Sequence, residues 1–294
     1  MFRSIYLVYK ESILDHYSSV ERNRLKMINP DQLVTLKKSH EHHYASLEKT
    51  KILLRKICSR YKISLKMHRR RKGRTPSPGK NDLVISLGGD GTFIYASHII
   101  KESCILGINS APDSSVGHYC TVNIEDEGHT EKIICDILNG KRAPILLDRL
   151  SVFINGRRTM FPAINDILVA DRNPASTSRY ILHWNQQKDS QKSSGIWIAT
   201  QTGSTAAYKS ASGKHFSSFE NNRKFGFAVR ELYHKKKNSI QKGIVAENEQ
   251  FMIQSLMLEG VVYFDGTHDN LKIFPGDKIE IRFSKYPLRA FYGK

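Results

Sequence analysis

The chain has 294 residues, 39% of them hydrophobic and 25% charged, which is the composition of a globular protein long enough for two domains. No stretch approaches the ~20 apolar residues of a membrane helix. The four cysteines are widely spaced and form no CxxC pair, which suits reduced thiols in a cytosol and argues against a zinc site.

The net charge of +18 indicates an anionic partner, which could be nucleic acid, an anionic membrane or a polyphosphate ligand. Much of the charge lies in two runs, residues 68–74 and 234–237. Both are expected to be solvated loops, and neither carries the interleaved aromatic residues of a base-stacking surface. We therefore interpret the charge as a field that attracts polyphosphates, and expect neither a specific nucleic acid nor a membrane as partner.

Strand and helix signals alternate through the first half of the chain, which is typical of a parallel sheet covered by helices. We therefore predict a Rossmann-like α/β fold for this part. The predicted strands cover residues 4–9, 63–67, 83–87 and 104–108, and the predicted helices cover residues 33–61, 93–100 and 129–139.

The first long helix contains the cluster His40-Glu41-His42-His43. No carboxylate or cysteine partner stands at an obvious metal-ligating spacing. We therefore interpret the cluster as a solvated helical face.

From about residue 142 the pattern changes to short β-type runs separated by turn residues, such as Asn155-Gly156 and Asp265-Gly266. This pattern is typical of an antiparallel sheet or sandwich. We predict an α/β domain over residues 1–142 and a β-rich domain over residues 143–294.

The most informative stretch is Gly88-Gly89-Asp90-Gly91-Thr92, which we call the glycine turn, between a predicted strand and a predicted helix. Glycines let backbone and phosphate come close, and N–H groups at a helix start bind anionic oxygens. A carboxylate repels phosphate, so a useful role for Asp90 is to bind a cation or to accept a proton from an attacking hydroxyl. The alternative is that Asp90 caps the helix.

Ligands in parallel sheets bind beyond the carboxyl ends of the strands, where Asp90 is expected. The loop at 109–118 should face the same crevice.

A second strand, starting near Gly195, leads into a turn of small hydroxylated residues and then a predicted helix ending near Ser212. Small side chains let a flat ring approach the backbone, and hydroxyl and N–H groups can satisfy its polar edge. The alternative is an ordinary Ser/Thr helix cap.

The glycine turn resembles the GGDGT signature shared by NAD kinases, diacylglycerol and sphingosine kinases, and 6-phosphofructokinases. The stretch from Ser194-Gly195 to Ala207 resembles the second signature of NAD kinases, D-G-hydrophobic-x-x-x-T-P-T-G-S-T-A-Y. With both motifs present, the chain is similar to the NAD kinase family over most of residues 83–284, and most similar to the mitochondrial-type branch. Asn165-Asp166 stands where the family has Asn-Glu, Ser194 where it has Asp, and Ala207 where it has an aromatic residue.

The resemblance implies transfer of the terminal phosphoryl group of ATP, with Mg²⁺, to the 2′-hydroxyl of the NAD adenosine ribose. Asp90 would be the general base or a metal-linked orienter of that hydroxyl, and no residue is assigned as a metal ligand. Backbone N–H groups of Gly88, Gly89, Gly91 and Thr92 would hold phosphates. The residues implied to bind NAD are Asn165, Asp166, Ser194, Thr202, Thr205, Ala206 and Ser210.

Three other readings remain open. A lipid kinase shares the first signature, but the second signature belongs to NAD kinases. A non-enzymatic, basic nucleotide- or nucleic-acid-binding protein would bind without ATP turnover, and a phosphofructokinase does not fit a β-rich second half. By resemblance we expect a homodimer or homotetramer. The absence of an Arg/Ser-rich presequence predicts a cytoplasmic protein.

Overall fold

The structure is a computed structural model that describes residues 2–70, 76–112, 117–212, 215–216, 223–233 and 237–292. The chain forms two compact units, Met1–Leu146 with Leu288–Lys294, and Leu147–Pro287. The boundary expected near residue 142 lies close to the first of these limits. The return of the last strand to the first unit is not predicted by the local sequence pattern.

The first unit contains a seven-stranded sheet with strand order β2-β1-β3-β4-β19-β6, in which β5 also pairs with β4. The pairs β1–β2, β1–β3, β3–β4, β4–β5 and β4–β19 are all parallel. Its strands are β1 (Ser4–Tyr9), β2 (Ser64–Arg69), β3 (Asp82–Gly88), β4 (Cys104–Asn109), β5 (Val122–Asn123), β6 (Ile145–Leu147) and β19 (Leu288–Phe291).

The described residues of this unit form four helices, α1 (Ser19–Ile28), α2 (Pro30–Tyr61), α3 (Asp90–His98) and α4 (Glu127–Leu138), with a 3-10 turn at Ile13–His16. Apolar residues of α2 and α4 share one buried cluster with β1, β3 and β4. The near-continuous apolar runs of β3 and β4 are explained by this burial, as is usual for central parallel strands.

Helix α1 is absent from the sequence prediction. None of its residues is buried, so it has no core-facing apolar stripe of the kind that predicts a helix. Its start is nevertheless encoded by a capping box. The Glu21 N–H donates to Ser18 Oγ, and the Ser18 N–H donates to the Glu21 carboxylate.

The interpretation of the histidine cluster as a solvated face is wrong for His43, which is only 2% exposed. Its Nδ1 lies 2.9 Å from Ser110 Oγ and its Nε2 lies 3.0 Å from the Lys10 carbonyl oxygen. The helical period turns His43 inward, whereas Glu41 and His42 remain exposed.

The second unit contains two six-stranded sheets with orders β11-β10-β15-β18-β7-β8 and β14-β13-β12-β9-β16-β17. Inward-facing residues of both sheets form one buried cluster, which makes the unit a β-sandwich. The strands are β7 (Leu150–Ile154), β8 (Arg157–Arg158), β9 (Asp166–Asp171), β10 (Ser178–Trp184), β11 (Gln187–Ser193), β12 (Ile196–Ala199), β13 (Lys224–Val229), β14 (Lys242–Ala246), β15 (Phe251–Ser255), β16 (Gly260–Phe264), β17 (Asp269–Ile273) and β18 (Lys278–Phe283).

A 3-10 turn at Thr202–Thr205 and helix α5 (Ala207–Ser212) follow β12. The predicted fold class, a parallel α/β region followed by a β-rich sandwich, is confirmed. Across the described ranges, no helix combines the length and the apolarity needed to cross a bilayer.

Candidate active site

The glycine turn joins β3 to α3, and its first residue requires glycine. Gly88 has φ +155°, and a Cβ atom there would collide with the side chain of Thr92. Gly89 is the N-cap residue of α3 and brings no side-chain hydrogen bond to the helix start. The Thr92 side chain therefore packs against the Gly88 backbone in a way that only glycine permits.

Asp90 is the first residue of α3 and is half-buried. Its Oδ2 accepts the His118 N–H at 2.8 Å and its Oδ1 accepts the Tyr119 N–H at 2.8 Å. Asp90 therefore does not cap its own helix. It fixes the end of the loop that follows β4, and that loop in turn fixes the direction of the carboxylate.

The N–H groups of the turn are not equivalent. The Thr92 N–H donates to the Gly89 carbonyl at 2.9 Å, so it is already used inside the turn. As the first residues of a helix, Asp90 and Gly91 have N–H groups without intrahelical acceptors. The Thr92 side chain is only 1% exposed, and its Oγ1 has no hydrogen-bond partner among the described residues.

The strand register brings three loops to one edge of the sheet. Tyr9 of β1 pairs with Leu87 of β3, and Gly88 pairs with Asn109 of β4. Lys10, the glycine turn and Ser110 therefore all follow the carboxyl ends of adjacent parallel strands, which is the usual ligand-binding edge.

Part of the loop after β4 is tied to helix α2. Ser110 Oγ contacts His43, and the Ser110 carbonyl accepts the Ser46 hydroxyl at 3.0 Å. Burial is the main cause that lowers the pKa of His43, so a neutral imidazole is favoured there. Residues 113–116 of the predicted crevice loop lie outside the described residues.

The first basic run is partly built into the fold. Arg69 forms an ion pair with Glu11 at 2.7 Å, and His68 Nε2 lies 3.0 Å from the Tyr95 hydroxyl. Arg70 Nη1 donates to the Gly91 carbonyl at 3.1 Å, within the glycine turn. Residues 71–74, and residues 234–236 of the second run, lie outside the described part of the chain.

In the second unit, one carboxylate holds the predicted Asn165-Asp166 pair. Asp265 Oδ1 accepts the N–H groups of Asn165 at 2.7 Å and Asp166 at 2.9 Å, and its Oδ2 accepts the Ile164 N–H at 2.9 Å. Three backbone donors on one carboxylate make a rigid turn, because hydrogen bonds to a charged acceptor are stronger than neutral ones.

Asp166 begins β9 and is only 6% exposed. Burial, and then the charge of Asp265, raise the pKa of Asp166 to about 7. A raised pKa of this size marks candidate functional groups, because it places a charge change near neutral pH.

The turn after β12, residues 200–206, which we call the hydroxyl turn, is joined to Asn165. The Thr200 N–H donates to the Asn165 carbonyl at 2.9 Å. A Cβ atom at Gly203 would collide with the same backbone, so glycine is needed there. Three of the implied NAD-binding residues, Thr205, Ala206 and Ser210, are exposed, and Thr202 is partly exposed.

The structure does not bring Ser194 together with the hydroxyl turn in the second unit. Ser194 precedes the four-residue strand β12 and the turn follows it, so one strand length of about 13 Å separates them. Ser194 instead lines a cavity of about 320 Å³ with Trp197, Tyr263, Arg172 and Arg230.

Local sequence patterns missed three residues that the structure places in these sites. The sequence marks Asp265 as part of a turn dipeptide, within a segment that resembles the closing segment of the NAD kinase family, and Arg70 as one charge in a run; it assigns no role to Lys10. Lys10 directly follows the first predicted strand, which is a usable signal, whereas Arg70 follows β2 only because that strand extends two residues beyond its predicted end at residue 67.

No group of three or more His, Cys, Asp or Glu residues in the described ranges could hold a metal ion. Mg²⁺ is usually bound by one or two carboxylates together with substrate phosphates, without a protein cage.

Several known proteins resemble this chain in sequence. A probable NADH kinase of Oryza sativa subsp. japonica is 34% identical over 224 residues, which cover 68% of this chain and 67% of the relative. An NADH kinase of Arabidopsis thaliana is 32% identical, covering 71% of this chain and 72% of the relative. An NAD kinase of Methanosarcina mazei is 32% identical, covering 71% and 68%. No family model matches the chain.

Two solved structures share its fold. The crystal structure of an NAD kinase from Archaeoglobus fulgidus in complex with ATP has a TM-score of 0.64 at 18% identity, covering 99% of this chain and 94% of that one. Yeast NADH kinase complexed with NADH has a TM-score of 0.61 at 14% identity, covering 99% and 83%. With relatives above 30% identity over two thirds of both chains, and with both signature turns in place, the chain belongs to the NAD kinase family.

Proposed function

We propose that this chain is an ATP-dependent NAD kinase, which transfers the γ-phosphoryl group of ATP to the 2′-hydroxyl of the NAD adenosine ribose to make NADP. Family membership supports this activity. The observation that carries it is the Asp90 carboxylate, aimed by two backbone N–H groups and set within a glycine turn at the carboxyl edge of a parallel sheet.

Asp90 orients the attacking hydroxyl and accepts its proton. Each carboxylate oxygen has more lone pairs than the one bond it accepts here, so it retains capacity for a ribose hydroxyl. Phosphoryl transfer needs mainly positioning and charge neutralisation, so a fixed carboxylate is sufficient on the acceptor side.

The glycine turn holds phosphate oxygens. Gly89 and Gly91 contribute N–H groups, and Gly88 contributes the unusual backbone conformation. Thr92 was expected to donate its N–H to a phosphate, but that N–H is bonded to the Gly89 carbonyl and its hydroxyl is buried, so Thr92 contributes to the shape of the turn. Mg²⁺ enters as part of the ATP complex, where it neutralises charge on the transferred phosphoryl group.

The Asn165-Asp166 pair binds the adenosine ribose hydroxyls and the adenine edge of NAD. Asp265 supports this role by holding both backbone N–H groups of the pair. The exposed hydroxyl and small side chains of Thr202, Thr205, Ala206 and Ser210 line the adenine or nicotinamide pockets. The predicted likeness to the mitochondrial-type branch remains a prediction.

The functional assembly is a homodimer or homotetramer. Ser194 lies one strand away from the hydroxyl turn of its own copy, so in a homo-oligomer it would contact the NAD bound by a neighbouring copy. All four cysteines are free, which supports a reducing compartment such as the cytoplasm.

The test is to incubate the purified chain with ATP-Mg²⁺ and either NAD or NADH, and to measure the 2′-phosphorylated product with an NADP-specific dehydrogenase. We expect product with one or both acceptors, and the comparison matters because two of the relatives are named NADH kinases. Phosphorylation of a diacylglycerol or sphingoid base, with no NADP or NADPH formed, would favour the lipid-kinase alternative.

A further inference from the structure

Two cations follow the two strands that lie on one side of the strand carrying the glycine turn. Lys10 directly follows β1 and Arg70 directly follows β2. Tyr9 pairs with Leu87 on one side and with Arg69 on the other, and the Arg70 N–H donates to the Tyr9 carbonyl at 2.7 Å. Both residues therefore lie at the same edge of the sheet as the glycine turn.

Arg70 is held over the first turn of α3. Its Nη1 donates to the Gly91 carbonyl at 3.1 Å, and its guanidinium carbon lies 5.2 Å from the centre of the Tyr95 ring. His68 orients that ring, because it bonds the Tyr95 hydroxyl and stacks on it with an interplanar angle of 6°. The guanidinium is thus fixed beside the backbone of the glycine turn.

This arrangement concentrates positive charge. The N-terminus of a helix is its positive end, where a cation is unfavourable and an anion is favourable. Burial lowers the pKa of Lys10, and the charge of Arg70 lowers it further, so the two cations interact. Among the described carboxylates none forms an ion pair with Lys10, and both oxygens of Asp90 accept backbone N–H groups.

The neighbouring arginine shows the contrast. Arg69 is paired with Glu11 at 2.7 Å. Arg70 instead donates to the Gly91 carbonyl of the glycine turn, and Lys10 is close enough to Arg70 for the two charges to interact. A site with two cations and open N–H groups is complementary to an anion with several charged oxygens.

We propose that Lys10 and Arg70 bind the terminal phosphates of ATP at the glycine turn, an inference that rests on the proposed NAD kinase function. The planar guanidinium suits two oxygens of one phosphate, whereas the lysine ammonium acts as a compact point charge. They set the affinity for the donor and leave the affinity for NAD nearly unchanged.

The test compares Arg70→Gln and Lys10→Met with Arg69→Gln as the matched control. We expect the first two to raise KM for ATP by about 10- to 100-fold, the effect of losing one hydrogen bond to a charged group. KM for NAD should change less than about threefold, and Arg69→Gln should change neither. Arg70→Lys should recover part of the ATP affinity, because it keeps the charge.

Binding measured by calorimetry separates phosphate recognition from a structural role. Arg70→Gln and Lys10→Met should each weaken ATP binding by about 10- to 100-fold but change the affinity for AMP less than about threefold. Equal losses for ATP and AMP, or an unchanged KM for ATP in an active enzyme, would overturn the inference. A wild-type chain that forms no NADP would instead refute the proposed function, and the ATP and AMP comparison would still decide the role of the two cations.

Discussion

Both units use an aspartate to organise a turn, but they use it in different ways. In the first unit, Asp90 belongs to the signature itself, is half-buried, and accepts two N–H groups of residues 28 and 29 positions away. In the second, Asp265 lies about 100 positions from the pair that it holds. Both carboxylates are half-buried and accept backbone N–H groups, so bonding and burial alone do not separate the reactive role proposed for Asp90 from the supporting role proposed for Asp265.

The largest effect is expected at Asp90. The change Asp90→Asn keeps one acceptor oxygen but removes the charge that accepts the hydroxyl proton, so kcat should fall by ~10²–10⁴ while NAD binding stays nearly intact. The measurement is steady-state NADP formation together with NAD binding. Asp126→Asn, at the N-cap of α4, is the control, because Asp126 caps a helix of the same unit. Near-normal turnover in Asp90→Asn would remove the proton-accepting role.

The second prediction tests whether Asp265 acts only by supporting the Asn165-Asp166 pair. Asp265→Ala leaves three backbone N–H groups without their acceptor, so the Asn165-Asp166 pair should lose its fixed geometry. We expect KM for NAD to rise by about 10- to 100-fold with a smaller change in kcat, and stability to fall by about 2–4 kcal/mol. Steady-state kinetics measure KM and kcat, and urea unfolding measures the free energy of unfolding.

Asp265→Asn keeps one of the two acceptor oxygens and should recover part of the NAD affinity. A fall in kcat as large as that of Asp90→Asn, with KM for NAD unchanged, would give the two aspartates equal roles and contradict the comparison.

The third effect concerns the proton of Asp166. Its pKa is raised to about 7 from an ordinary value of 3.8, so between these values the folded state holds a proton that the unfolded state releases. Its contribution to stability is therefore present below pH ~4 and is lost as the pH rises to about 7. Asp166→Asn should remove this dependence, a difference on the order of 3–4 kcal/mol.

The measurement is urea unfolding of wild type and Asp166→Asn from pH 4.5 to 8. Asp171→Asn, at the other end of β9, is the control and should keep the wild-type dependence. Parallel curves for wild type and Asp166→Asn would show that Asp166 is ionised throughout this range.

The smallest effect concerns the loop beside Asp90. His43→Gln weakens the link from α2 to Ser110 and should cost about 1 kcal/mol near pH 7.5. Burial lowers the pKa of His43, so its contribution is full above the unfolded pKa and is lost as the pH falls through the lower folded value. The difference from wild type should therefore shrink at pH 5.5.

The control is His42→Gln, because His42 lies on the exposed face of the same helix. Urea unfolding at the two pH values should show no change for it. An equal effect of both substitutions would mean that burial does not distinguish the two histidines.

Much of the fold could be predicted locally. Apolar runs predicted β1, β3 and β4, because strands buried on both faces have little polar alternation. Helix α1 was missed because no apolar face is buried, and β19 could not be assigned to the first sheet because its pairing with β4 joins residues far apart in sequence. Of the candidate site residues, the glycine turn and the Asn165-Asp166 pair were found from motifs, whereas the positions of Asp265 and Arg70 depend on contacts with residues distant in sequence.

The sequence by itself determined the two-part architecture, the glycine turn and the family resemblance, because periodicity, glycine content and short motifs are local properties. Tertiary structure decided what surrounds them: that His43 is buried, that Asp90 holds the 118–119 backbone, and that Asp265 supports Asn165. These outcomes depend on which distant N–H groups and carbonyls a side chain meets, and only strand register and helix packing fix those partners.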